Sequence, residues 1–112
     1  MTLNGNAQQT VLVSACLLGI KTRYDGRAKS SQAVLDYLER EQLTAIPVCP
    51  EQLAGMSTPR EETQFAKGEG KDVLEGSGLV CSVSGQPMND VFKRGAEETL
   101  RIAHLTGCQQ AL

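Results

Sequence analysis

Two cysteines stand directly after strand-like segments of this sequence, where a pair of thiolates could bind a metal or carry redox chemistry. Cys16 follows an apolar run at residues 11–15, and Cys49 follows a second run at residues 44–48. If the two runs are parallel neighbours in one sheet, both thiols project from the carboxyl edge, where open α/β sheets bind their ligands. Iron or zinc ligation, a redox pair and a nucleophile with its partner all require the thiolate form, so these alternatives remain open at this point.

Polar side chains close to the cysteines in sequence extend the candidate site. Glu51 lies just beyond Cys49, close enough to act as a general acid or base beside whatever the thiolates hold. One turn offers a guanidinium, a phenol and a carboxylate, a set that can orient a small polar ring. These three residues are Arg23, Tyr24 and Asp25. Arg60 presents a further guanidinium, which could clamp an anionic or carbonyl group.

The other residues with reactive side chains favour simpler interpretations. Cys81 lies within an apolar segment and Cys108 just past a predicted helix, so we interpret both as packing residues. His104 is the single histidine and lies late in that helix, which disfavours a cysteine-protease dyad and a histidine-rich zinc site. No Walker or Rossmann glycine pattern opens a helix, and we therefore exclude a nucleotide-phosphate site.

The first half of the chain is predicted to form a strand–helix–strand unit that positions the two cysteines. The first apolar run is rich in β-branched residues, which is typical of a buried parallel strand. Ser30 or Ser31 caps the helix, which runs to about Glu41. Pro47 cannot donate to a ladder, so the second strand is expected at a sheet edge or a bulge. A right-handed crossover then places both cysteines on one edge of the sheet.

The second half is predicted to contain a long loop, a strand and a long helix. Residues 50–78 are rich in glycine and charge and are interpreted as one functional or mobile loop. Residues 79–83 form a strand, and Asn89 or Asp90 caps a helix that stops at Gly107. The last five residues begin another strand. Together the elements predict an α/β fold with a three-layer, Rossmann-like open sheet that is mostly parallel.

Length and composition limit the function classes. The 112 residues predict a single domain over 1–112, with residues 1–10 disordered. Hydrophobic residues make up 40% of the chain and the formal net charge is -2, which disfavours nucleic acid as a partner. The sequence shows neither a signal peptide nor an apolar run long enough to span a bilayer. We therefore expect a cytoplasmic protein without a membrane partner.

Six short motifs in a fixed order resemble a bacterial family long catalogued as a domain of unknown function, whose characterised members are thiouracil desulfidases. The resemblance covers about residues 11–112. The motifs are VLVSACLLG at 11–19, RYDG at 23–26, IPVCPEQ at 46–52, TPR at 58–60, DVLEG at 72–76 and GAEETL at 95–100. The pairing of SACLLG with VCPE is the most specific part of the pattern.

The resemblance implies an iron–sulfur site for a thiolated pyrimidine. In that family three cysteines bind a four-iron, four-sulfur (4Fe–4S) cluster whose open iron takes the thiocarbonyl sulfur, so that water replaces sulfur and thiouracil becomes uracil. By position Cys16 and Cys49 match two of the cluster ligands, and Glu51 belongs to the second cysteine motif, where we expect it to transfer protons. The residues expected to line the substrate pocket are Arg23, Tyr24, Asp25 and Arg60.

The sequence departs from the family pattern at two places. The third family cysteine lies in a Ser-Pro-Ser-Cys-Gly motif after the strand that follows the long helix, and this sequence ends inside that strand. Cys108 falls before it and does not replace that ligand. Gln64 stands where the family usually has a glutamate. Thiolate ligation of a four-iron cluster normally uses three or four cysteines, so the chain is expected to be C-terminally truncated and inactive alone.

Two alternatives remain. The chain could be a metal-free α/β module that binds a small molecule or forms a homodimer through an exposed sheet edge. It could also be a sulfur-transfer protein that carries a persulfide on Cys16 or Cys49.

Overall fold

A computed structural model describes residues 9–112. Its elements in chain order are β1 (Thr10–Ser14), a short 3₁₀ helix (Ala15–Leu18), α1 (Gln32–Arg40), β2 (Thr44–Val48), α2 (Pro50–Leu53), β3 (Thr63–Lys67), α3 (Gly70–Glu75), β4 (Leu79–Ser82) and α4 (Asn89–Thr106). Of the N-terminus predicted to be disordered, residues 1–8 lie outside the described part of the chain, and Thr10 begins β1.

The first sheet is parallel, as the strand–helix–strand pattern predicts. β1 and β2 pair in register from Thr10 opposite Thr44 to Ser14 opposite Val48. Pro47 lies opposite Val13, on a strand that pairs with β1 alone among the described strands, which agrees with the predicted edge position. This register brings the carboxyl ends of β1 and β2 side by side.

The last residues of the chain lie along the other side of β1. The Leu112 N–H donates to the Leu12 carbonyl at 2.7 Å, and the Leu12 N–H donates to the Gln110 carbonyl at 3.1 Å. Leu12 and Ala111 form a parallel bridge. The segment predicted to begin a strand therefore extends this sheet.

Helix α1 covers one face of the parallel sheet. Its N-cap is Ser31, whose Oγ accepts a hydrogen bond from the Val34 N–H at 3.3 Å. Leu38 packs with Val11 and Val13, both of which are fully buried. Side chains of this size stabilise a fold by roughly 1.5–3 kcal/mol each when buried. This small core fixes the strand ends that carry the two cysteines.

The second half of the chain differs from its prediction. β3 and β4 pair antiparallel in a separate two-stranded sheet, so the mostly parallel, three-layer Rossmann-like sheet is not confirmed and the domain is a small mixed α/β fold. The prediction of a single long loop at residues 50–78 is wrong, because α2, β3 and α3 lie within this range. Most of β3 is exposed, and α3 buries only Val73. Neither segment has the hydrophobic periodicity that identifies an element from sequence.

Helix α4 begins and ends near the predicted residues but has a different N-cap. Met88 occupies the cap position, and the side chain of Asn89 instead bonds the neighbouring strand: its Oδ1 accepts from the Val80 N–H at 2.7 Å, and its Nδ2 donates to the Gly78 carbonyl at 3.0 Å. Gly107 ends the helix with φ of 70°, as predicted. No helix within residues 9–112 is both long enough and apolar enough to cross a bilayer.

Candidate functional site

The adjacent carboxyl ends of β1 and β2 form a cavity of about 160 Å³ that both cysteines line. Cys16 lies in the 3₁₀ helix that directly follows β1, and Cys49 is the N-cap residue of α2, directly after β2. Both are free thiols and partly buried. The parallel register of the two strands is what brings residues so far apart in sequence to one cavity.

Glu51 reaches the same cavity from α2. It is the second residue of that helix, after Pro50, whose fixed φ and missing N–H suit the first helical position. The Glu51 side chain keeps 39% of its surface exposed. It also lines a larger, mostly apolar groove of about 590 Å³ formed with β3, β4 and α4. Glu51 therefore lies between the cavity that the two cysteines line and this groove.

Arg60 binds Glu51 through a two-pronged ion pair. The Arg60 Nε–H donates to Oε2 of Glu51 at 3.1 Å, and Nη2 donates to Oε1 at 3.1 Å. Nη2 also donates to the Thr22 carbonyl at 2.8 Å, and Nη1 donates to Oγ1 of Thr58 at 2.8 Å. Only 4% of the Arg60 side chain is exposed. Bidentate pairs of this kind fix both the position and the orientation of the carboxylate.

The surroundings of Arg60 shift its pKa in opposing directions. Burial by itself lowers the pKa of the guanidinium, but the hydrogen bonds and charge of Glu51, with a smaller contribution from Cys49, raise that pKa overall above its ordinary value. Arg60 is therefore protonated at neutral pH and contributes a positive charge to the cavity.

The thiol of Cys49 faces the same polar groups. Its Sγ lies 3.7 Å from the Thr22 carbonyl, to which the thiol can donate, and 3.9 Å from Nη2 of Arg60. Thr22 itself is buried. The sulfur of Cys49 therefore lies beside one carbonyl acceptor and one guanidinium.

The turn at residues 23–26 contributes two of its three predicted side chains. Arg23 and Tyr24 line the cavity, with the Arg23 guanidinium 5.6 Å from the Tyr24 ring centroid. Asp25 does not line it. Its carboxylate instead accepts a hydrogen bond from the Arg27 N–H at 3.0 Å and lies 3.7 Å from Nη2 of Arg23. In this structure the oxygens of Asp25 stabilise the turn, and its expected role in the substrate pocket stays a prediction.

The other two cysteines lie away from the cavity. Cys81 is in β4, opposite Gln64 of β3. Cys108 lies between two hydroxyls, with its Sγ 3.2 Å from Oγ1 of Thr10 and 3.1 Å from Oγ1 of Thr106. Both positions agree with the interpretation of these cysteines as packing residues.

Comparison with known proteins identifies the family. The sequence model of the 2-thiouracil desulfurase family matches residues 11–112. The chain belongs to that family. The resemblance drawn from the six motifs is thereby confirmed.

Two similar proteins give the extent of the likeness. The uncharacterized protein YbbK of Bacillus subtilis (strain 168) is 38% identical over 93 residues, which are 83% of this chain and 60% of that protein. The solved structure of the 4Fe–4S-dependent thiouracil desulfidase TudS is 35% identical with a TM-score of 0.72, covering 93% of this chain and 62% of that one. This desulfurase-family chain therefore spans about three-fifths of the length of both.

Two residues of this desulfurase-family site were not predicted from sequence. Thr22 acts through its backbone carbonyl, for which its side-chain type gives no signal. Gly95, inside α4, lies against the turn that carries Glu51: a Cβ at this position would lie 2.6 Å from the Pro50 carbonyl oxygen. An isolated glycine within a helical pattern often marks a close packing contact, so the sequence does contain a signal for the role of Gly95.

The donor atoms at the cavity match part of the ligand set of an iron–sulfur cluster. Thiolates are the usual protein ligands of such clusters, and Cys16 and Cys49 bring two of them to one cavity. Residues 9–112 contain no group of three or more His, Cys, Asp or Glu side chains placed to hold a metal ion. The described side chains thus supply two of the three or four thiolates that a four-iron cluster normally uses.

Proposed function

We propose that this chain forms part of a 4Fe–4S-dependent site that replaces the sulfur of a thiolated pyrimidine such as thiouracil with oxygen. The observation that carries the proposal is the meeting of Cys16, Cys49 and Glu51 in one cavity at the carboxyl edge of the parallel sheet. Membership of the 2-thiouracil desulfurase family and the structural likeness to TudS support it.

Cys16 and Cys49 would hold two corners of the cluster. A bound cluster would supply a Lewis-acidic iron for the thiocarbonyl sulfur. Because two thiolates leave the usual ligand set short, we expect the chain by itself to hold iron weakly and to have no desulfidase activity. The roles proposed for the protein side chains do not depend on the geometry of the cluster.

Glu51 is the group that moves protons in this proposal. Two N–H donors of Arg60 face its two oxygens and fix the orientation of the carboxylate. An ionised Glu51 can take a proton from the water that attacks the thiocarbonyl carbon and return it to the departing sulfur. A C–O bond forms and a C–S bond breaks, so thiouracil and water give uracil and hydrogen sulfide without net oxidation or reduction.

Arg23 and Tyr24 are the substrate-orienting groups in this proposal. Both line the cavity, and both offer donors that can bond the oxygen or the sulfur of a thiolated pyrimidine.

The proposal is tested by supplying the missing ligand. The chain is extended with a segment that contains Ser-Pro-Ser-Cys-Gly, reconstituted anaerobically with iron and sulfide, and incubated with thiouracil while uracil and sulfide are measured. We expect the extended protein to form both products and its Cys49→Ala variant to form neither. An extended protein that binds a full cluster but leaves thiouracil unchanged would contradict the proposed reaction.

A further inference from the structure

We infer that Arg60 is a positioning residue that fixes Glu51 and the loops around Cys49 and has no donor left for a substrate. This replaces the expectation from sequence that Arg60 clamps the substrate. The inference rests on the proposed function only in taking this cavity as the reactive site. Its contacts are properties of the chain without any bound group.

The hydrogen-bonding capacity of Arg60 is fully used within the protein. A guanidinium has five N–H donors, one on Nε and two on each terminal nitrogen. Nε donates to Glu51, while Nη2 serves both Glu51 and the Thr22 carbonyl. Nη1 serves Oγ1 of Thr58 at 2.8 Å and the Ser57 carbonyl at 3.4 Å. All five donors have acceptors, so a substrate would have to displace one of them.

The same residue joins three segments that the sheet does not hold together. Its backbone N–H donates to the Tyr24 carbonyl at 2.8 Å, and its side chain reaches Thr22 in the same loop after β1. The Arg60 side chain also bonds Glu51, in the turn after β2, and Thr58, in the loop that contains Arg60 itself. Arg60 therefore determines how the two cysteine-bearing strand ends present their loops to the cavity.

Arg23 is left as the guanidinium available to a substrate. Its side chain is 32% exposed, compared with 4% for Arg60. Its guanidinium lies 3.7 Å from the Asp25 carboxylate and over the face of the Tyr24 ring. The two arginines at the cavity thus have different roles: Arg60 positions the site and Arg23 contacts the substrate.

The direct test observes the Arg60 side chain in the cluster-free protein by ¹H–¹⁵N NMR. We expect its Nε–H to give a distinct signal that exchanges slowly with water. Arg60→Lys should remove this signal. In Glu51→Gln the signal should shift and exchange rapidly. The control is Arg101, whose exposed side chain lies 3.6 Å from Glu98 and should exchange rapidly. An Arg60 Nε–H that exchanges like that of Arg101, or that is unmoved by Glu51→Gln, would overturn the inference. Glu51→Gln leaves Arg60 in place, so the test holds even if Arg60→Lys does not fold.

Kinetics of the extended, reconstituted protein separate the two arginines. Arg60→Lys keeps the positive charge but loses the bidentate guanidinium. We expect kcat to fall roughly 10–100-fold with KM unchanged, the size of effect seen when a residue that supports a reactive group is replaced. Arg23→Lys should instead raise KM. A raised KM with unchanged kcat for Arg60→Lys would contradict the positioning role. If the NMR result holds but no variant turns over thiouracil, the proposed function fails while the role of Arg60 in the fold stands.

Discussion

The parallel and antiparallel sheets of this protein bury their side chains to very different degrees. Val11 and Val13 of β1 have no exposed surface, whereas four of the five residues of β3 are exposed and Phe65 retains 51% of its accessible surface. The cavity with both cysteines lies at the end of the parallel sheet, and the larger groove lies beside the antiparallel one. Reactive side chains are thus placed where a packed core fixes the backbone, which is what a site needs to hold its geometry.

Helix α4 connects the two regions. On one side Gly95 lies against Pro50, next to Glu51, and on another the Phe92 ring meets the Phe65 ring edge-on at 5.7 Å. A disturbance of α4 can therefore reach the site through α2 without touching the parallel sheet.

The largest expected difference between the regions is in activity. Glu51→Gln keeps the shape of the side chain but cannot accept a proton, so turnover of thiouracil by the extended protein should fall about 10²–10⁴-fold, the usual contribution of a general acid or base. The matched control is Glu75→Gln on α3, an exposed carboxylate 4.0 Å from Lys71. Equal losses in the two variants, measured at equal iron content, would remove Glu51 from the mechanism.

The next effect is on stability of the parallel region. Leu38 is 8% exposed and packs on Val11 and Val13, so Leu38→Ala should lower the free energy of unfolding by about 2–5 kcal/mol. Urea denaturation measures it. Leu105→Ala, at an exposed position of α4, is the control and should change stability by no more than about 0.5 kcal/mol. A Leu38→Ala change as small as the control would show that this core does not hold the strands.

The connection through α4 is tested at Gly95. A methyl group there meets the Pro50 carbonyl oxygen at 2.6 Å, so Gly95→Ala forces α4 and α2 apart and should destabilise by about 1–3 kcal/mol, despite the higher helix propensity of alanine. It should also weaken turnover by moving Glu51. Ala96→Gly, the reverse change at the neighbouring residue, controls for propensity alone. Stabilisation by Gly95→Ala would show that the two helices are not in close contact.

The smallest effect is expected in the antiparallel region. Phe65 is half exposed, and Phe65→Ala chiefly removes its edge-on contact with Phe92, a pair worth about 0.5–1.5 kcal/mol. Turnover should be unchanged within error. A stability loss as large as that of Leu38→Ala would mean that both regions share one core, which would contradict the difference in burial between the two sheets.

The sequence predicted best the parts of the molecule in which burial leaves a periodic pattern. The two parallel strands and α1 were predicted within one residue or so, because apolar side chains at residues 11–13 and at Val34 and Leu38 mark their buried faces. The meeting of Cys16 and Cys49 followed from the handedness of the crossover. The ends of α4 followed from Gly107 and its apolar spacing.

The failures occurred where other interactions determine the structure. β3 is exposed and is held by ladder hydrogen bonds to β4, and α3 depends on a bond from the Glu69 N–H to the Asp72 carboxylate at 2.8 Å. Neither leaves an apolar repeat. Sequence also does not show that all five donors of Arg60 have acceptors within the chain, so the positioning role proposed for it was not predicted.

The central claim is that the thiols of Cys16 and Cys49 serve one site at the end of the parallel sheet. Iron and acid-labile sulfide bound after anaerobic reconstitution test it most directly, measured for the chain extended with a Ser-Pro-Ser-Cys-Gly segment and for single alanine variants of that extended chain. We predict that Cys16→Ala and Cys49→Ala each reduce both quantities to background, whereas Cys81→Ala, in the antiparallel sheet, leaves them unchanged. Equal binding by all three variants, or a loss with only one of the two site cysteines, would contradict the claim.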